Sequence, residues 1–240
     1  MLSKKIILGV GVIDVSFNTI LEYLVKKLKN EGKKFYLVTP NPELLMIARR
    51  DESYKKVLNN AELALPDGIG VVIAGKILGK PLKARITGVD FVYNFCNAIA
   101  KQPITVGFLG GGPNVAEKAS KCLIKKYPGL KVGFAYEDWP PQSVVSSQES
   151  VVSCDLLFVA FGSPKQEKWI AENLDMLPVK AAMGVGGAFD FISGKVRRAP
   201  KFVRGLGLEW LFRLAIQPWR IKRQVALIKF TALVIKEKLL

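Results

Sequence analysis

Five short and mostly apolar runs constrain what this chain can fold into: residues 35–38, 63–65, 104–109, 155–160 and 181–185. Each breaks off at Gly, Pro or a polar residue, and most are followed by apolar residues at helical spacing. Apolar runs this short, without strict alternation, suit strands covered on both faces, which is the condition of a parallel sheet. Strand, exit loop and helix in repetition predict an α/β fold: a doubly wound, mostly parallel, Rossmann-like sheet. Ligands of such sheets bind at the carboxyl ends of the strands, so the exit loops are expected to carry the chemistry.

The exits are distinctive. After 63–65 comes Pro66-Asp67-Gly68, with a helix expected over 71–78; a carboxylate there sits on a tight turn beside a helix N-terminus. Asp67 is the candidate chemical centre, although Asp is also a favoured helix cap. The run 35–38 leads into Thr39-Pro40-Asn41-Pro42, where the prolines stiffen the loop and offer no N–H. Thr39 and Asn41 are therefore ready hydrogen-bonding groups, or turn and cap residues. Arg85 falls on a loop, as a solvated charge or a planar phosphate ligand. Gly110-Gly111-Gly112 opens a helix over 115–127, where bare backbone N–H groups could meet an anion. The turn is neither a full dinucleotide fingerprint nor a P-loop. Gln166 lies at another strand-to-helix junction, and Gly186 and Asp190 lie in the glycine-rich exit of the last run. A strand pair over 5–15 is expected at the sheet edge, helices over 17–28, 44–50 and 90–100, and a loop with a weak helix over 137–150.

Composition narrows the partners. The net charge is +16 with no histidine, so the commonest general base and metal ligand are missing while an anionic partner is expected. Three scattered cysteines suit small buried residues in a reducing compartment. No apolar run approaches the roughly 20 residues of a membrane span. From residue 195 onward, twelve Lys or Arg face two acids, and Trp210, Phe212, Trp219 and Phe230 are interleaved with them. This reads as a core over 1–194 followed by a basic amphipathic appendage over 195–240, the kind of segment that lies in a membrane interface. The other reading is a basic helix packed on the core with solvated charges. Arg213, Arg220 and Arg223 would share a face of an unbroken helix, with Pro218 marking a kink or break between them.

Seven ordered blocks resemble the bacterial glycosyltransferase family 26, the WecG/TagA/CpsF family, over nearly the whole chain. They are Thr39-Pro40-Asn41, Pro66-Asp67-Gly68-Ile69-Gly70, the stretch 85–90, Gly162-Ser163-Pro164-Lys165-Gln166-Glu167-Lys168-Trp169-Ile170, the stretch 183–190, Arg198-Ala199-Pro200-Lys201, and the stretch 207–214. The chain is most similar to the branch that builds the teichoic-acid linkage. That resemblance implies transfer of N-acetylmannosamine from UDP-ManNAc to the 4-hydroxyl of GlcNAc on undecaprenyl diphosphate, with inversion and without a metal or other cofactor. It makes Asp67 the general base. It gives Thr39, Asn41, Arg85 and Gln166 to substrate or to the pocket's shape, and Arg213, Arg220 and Arg223 to the diphosphate. Gly110, Gly111, Gly186 and Asp190 are the expected nucleotide contacts. Other UDP-sugars, such as UDP-ManNAcA or UDP-glucose, serve elsewhere in the family. The resemblance also implies a cytoplasmic protein, peripheral on the inner face of an anionic membrane, whose tail docks there or in a small homo-oligomer.

The residues agree with this chemistry. A chain without histidine needs a carboxylate as base, and one without Asp-Xaa-Asp is expected to neutralise a leaving diphosphate with cationic side chains. A nucleotide-binding oxidoreductase is the rival suggested by the glycine turn. Nucleic-acid binding fits poorly, because the bases gather in an amphipathic tail rather than along a sheet with stacking aromatics.

Overall fold

A computed structural model describes residues 2–139 and 153–239, the side chains of 222–224 excepted; most of the expected loop over 137–150 lies outside the described residues. Strands β1 (Lys4–Ile7) and β2 (Val10–Ile13) form an antiparallel hairpin. They make a two-stranded sheet of their own rather than an edge of the main one. Helix α1 (Phe17–Lys29) follows, capped by Ser16, with Ile20, Leu24 and Leu28 as its buried stripe and lysines in its last turn.

Then come β3 (Phe35–Val38), α2 (Pro42–Ala48), α3 (Glu52–Asn60), β4 (Leu63–Ala64), α4 (Ile69–Ile77), α5 (Gly88–Ile99), β5 (Thr105–Gly110), α6 (Val115–Lys126) and β6 (Lys131–Tyr136). After the undescribed stretch come β7 (Cys154–Ala160), α7 (Lys165–Asn173), β8 (Val179–Gly184) and α8 (Ala188–Ile192). The C-terminal segment adds α9 (Lys201–Gly205), α10 (Glu209–Ile216), a 3-10 turn (Pro218–Arg220) and α11 (Ile221–Leu239). The helix expected over 71–78 begins two residues early, and α3 has no counterpart among the expected elements.

The main sheet runs β4-β3-β8-β7-β5-β6 with every pairing parallel, as the apolar runs require. Alternation along β7 feeds both faces: Leu156 and Phe158 enter one core cluster, Leu157 and Val159 another. The first cluster holds a chain of aromatic contacts from Phe17 through Phe91, Phe95, Phe158 and Phe108 to Phe189, centroids 5.4–6.3 Å apart. The order of strand addition reverses between the parallel neighbours β5 and β7, since β5 continues outward to β6 whereas β7 leads inward to β8. Cys96 and Cys154 are buried as expected, Cys122 is exposed, and all three are free thiols.

Helix α11 packs against α2 and α4, with Phe230 and Val234 buried among Leu44, Leu45, Val71 and Ala74. Among the described residues no helix is long and apolar enough to cross a membrane.

Candidate active site

A cavity of about 690 Å³ opens over the carboxyl ends of β4, β3, β8 and β7. The core contributes Thr39, Asn41, Asp67, Arg85, Thr87, Ser163, Gln166, Gly186 and Gly187; the opposite wall comes from the C-terminal segment, including Glu209, Trp210, Arg213, Arg220 and Phe230.

Asp67 stands on a turn fixed from two sides. Its own N–H donates to Pro40 O at 2.9 Å, and Ile86 N–H donates to Pro66 O at 2.9 Å, tying the turn to the exit of β3 and to the Arg85 loop. The helix cap is Gly68, not Asp67: its φ of +82° is a conformation that suits glycine, and no side chain caps α4. The carboxylate is thereby left for the cavity. Asp67 is half-buried, and the surface it keeps lies in the cavity wall. Loss of water around the carboxyl pushes its pKa up to about 7. The nearby Glu209 and Asp90 add to the rise, while Arg85 and the Gly68 N–H oppose it. A carboxyl at that value is matched to proton abstraction near neutrality.

Gln166 is buried and fully engaged. Its Nε2 donates to Ser163 Oγ at 3.1 Å and to Glu167 Oε1 at 2.7 Å, and its Oε1 accepts from Gly186 N–H at 3.0 Å. Glu167, fully buried, also accepts from Ser163 Oγ at 2.7 Å and from the Tyr54 hydroxyl at 3.2 Å. The network anchors the glycine exit of β8 to α7 and α3 and fixes the shape of the cavity floor. Asn41 spends its Oδ1 on Leu44 N–H at 3.0 Å, capping α2 from within the cavity wall.

The C-terminal wall is held by a charged cluster. Arg198 bonds Asp90 Oδ1 at 2.8 Å through Nη1 and Glu209 Oε1 at 3.0 Å through Nε. Arg204 lies 3.5 Å from the same Asp90 oxygen, and Arg85 Nη2 donates to Arg204 O at 2.7 Å. Burial works against charge on Asp90, yet the bonds from Arg198 and Thr87 hold its carboxyl below the usual range. Part of the tail's positive charge therefore serves to dock the tail.

Pro218 does break the helix: α10 ends at Ile216 and α11 starts at Ile221. Arg213 and Arg220 nevertheless converge, because both donate to Gln217 Oε1, at 3.1 and 3.4 Å. Arg213 lies over the Phe191 ring at 4.8 Å and reaches Gly187, where an added Cβ would stand 2.9 Å from Nη2. Only a residue without a side chain lets the guanidinium come so near this backbone.

A sequence profile described as "Glycosyl transferase WecG/TagA/CpsF family" matches residues 5–240. The chain belongs to the WecG/TagA/CpsF glycosyltransferase family. Three relatives carry the name N-acetylglucosaminyldiphosphoundecaprenol N-acetyl-beta-D-mannosaminyltransferase. Those from Bacillus spizizenii and Bacillus subtilis are each 32% identical, covering 94% of this chain and 88% and 89% of their own length. One from Staphylococcus aureus is 34% identical over 89% of this chain and 87% of its own.

For this glycosyltransferase the cavity gathers eight of the expected positions: Thr39, Asn41, Asp67, Arg85, Gln166, Gly186, Arg213 and Arg220. Gly110 and Gly111 do not line it. Gly110 ends β5, beyond β7, Gly111 follows it, and the Gly111 N–H already donates to Ala160 O at 3.0 Å. Asp190 also lies off the lining, 3.6 Å from Lys195. The Arg223 side chain lies outside the described residues. Sequence reasoning assigned no role to Arg198, Asp90 or Glu209, although all three fall in the blocks that carry the family resemblance. Among the described residues no group of three or more Cys, Asp or Glu is arranged to hold a metal ion.

Proposed function

We propose that the protein transfers N-acetylmannosamine from UDP-ManNAc to the 4-hydroxyl of GlcNAc on undecaprenyl diphosphate, with inversion, as a step in building teichoic acid or a related surface polymer. The observation that carries this reading is one cavity lined by a carboxylate with a raised pKa and by two converging arginines. Asp67 takes the proton of the acceptor hydroxyl. The hydroxyl oxygen attacks the anomeric carbon from the face opposite the nucleotide, and the bond from that carbon to the β-phosphate oxygen breaks. UDP leaves with the electron pair and its added charge, which Arg213 and Arg220 meet. Thr39, Asn41 and Arg85 position the sugars and phosphates, and Gln166 holds the Gly186 backbone in place. The donor fixes the test: a panel of UDP-ManNAc, UDP-ManNAcA and UDP-glucose with a GlcNAc diphosphate lipid, in EDTA, read by mass. Product from UDP-ManNAc alone is expected. Product from another sugar alone moves the donor, and dependence on added metal removes the metal-free mechanism.

We propose further that the protein attaches peripherally to an anionic membrane surface. Helix α11 carries an outward stripe, Ile221, Val225, Ile228, Ile235 and Leu239, all exposed, with the exposed Trp219 just before it and Lys229 and Lys236 beside it. Flotation with anionic but not with zwitterionic vesicles is the expected result; equal behaviour on both removes this part of the reading.

A further inference from the structure

The cavity has two chemically different ends. Toward the sheet it is lined by Asp67, Arg85, Gln166 and the arginines; away from it the walls are two helix stripes. Ile69, Ile73 and Ile77 recur every fourth residue on α4, while Leu227, Phe230 and Val234 recur at three and four on α11. The polar side chain within the α11 stripe is Thr231, and its hydroxyl donates to Leu227 O at 3.0 Å. This end therefore has little to offer the hydroxyls of a sugar or the edge of a base, which need placed polar partners. At the helical rise the groove is about 12 Å long along α4, room for roughly two isoprene units. Its outer rim is Ile73, 49% exposed.

We infer that the groove between α4 and α11 is a binding site for the first isoprene units of a polyprenyl diphosphate, holding the acceptor by its lipid as well as by its sugar. The inference rests on the proposed acceptor and deepens it. The occupant is a prenyl chain joined to a diphosphate, because the groove is continuous with the end that carries Arg213 and Arg220: an apolar tail and an anionic head match its two ends together. A second copy of this chain suits it less, since a protein of net charge +16 brings no matching anion to the end that carries Arg213 and Arg220.

The test measures binding, so it does not depend on transfer. Geranyl diphosphate, with two isoprene units, and methyl diphosphate are titrated into the full chain by calorimetry. At least about tenfold tighter binding of the geranyl compound is expected from the buried apolar area. Ile73→Trp, which fills the groove from its exposed rim, is expected to erase that preference while binding methyl diphosphate and UDP as the parent does. Ile73→Asn is the second variant, and it should reduce the preference without adding bulk. Equal affinity for the two diphosphates in the parent chain, or a preference untouched in both folded variants, would overturn the groove. Loss of glycosyl transfer with the geranyl preference intact would instead count against the proposed function.

Discussion

Asp67→Asn is expected to lower turnover about 10³-fold, within the range for removal of a general base, while the folded protein becomes more stable at pH 8. Both effects come from the same desolvated carboxyl, whose pKa moves from an ordinary 3.8 to about 7. Between those two values the folded state keeps a proton that the unfolded chain has released. Stability from this group is therefore fully present below about pH 4 and is lost as pH rises to about 7. Asparagine removes that loss. Thermal melts of parent and variant should nearly coincide at low pH and separate at pH 8, the variant melting higher. For the parent, kcat/KM should rise through a midpoint near 7 as the base deprotonates. Wild-type turnover in Asp67→Asn would remove Asp67 as the base; melts that fail to separate at pH 8 would remove the desolvated carboxylate as its physical cause.

The double substitution Arg213→Ala with Arg220→Ala is expected to lower kcat by about 10³-fold or more, since loss of one charge-stabilising donor typically costs 10²–10³. The single changes should not multiply simply. Gln217 accepts from both guanidinium groups, so removing one frees the shared acceptor to reorient the other. Circular dichroism should be unchanged, because neither arginine is part of the buried cores. Turnover with UDP-ManNAc is the measurement, and a double variant that keeps parental kcat removes the arginines from the leaving group.

How far the sequence foretold this site differs from one residue to the next. Apolar runs with Gly, Pro or polar exits were enough for a parallel α/β sheet and for the loops holding Thr39, Asn41, Asp67 and Gln166. The role of Asp67 was ambiguous because aspartate is both a good cap and a good base; the structure decides the cap by giving it to Gly68. The glycine turn at 110–112 was a sound local signal for backbone N–H groups. Its position depends on strand order, which long-range pairing sets and local spacing does not carry; β5 falls on the far side of β7 from the cavity. The cluster of Asp90, Arg198 and Glu209 was hidden for the same reason, since 119 residues separate the ends of the group that docks the tail. Helix α3 was missed because its buried stripe is only Tyr54 and Leu58, too little for a periodic signal.

The far wall of the cavity has a bearing on biosynthesis. Chains fold from the N-terminal side as they leave the ribosome, and here every strand of the sheet is translated before the first residue of that wall. A nascent chain thus displays its Asp67 turn to solvent as an open cleft. The cavity gains its second wall only when the late helices dock and bury Phe230 and Val234, so a half-made molecule carries only half of the lining.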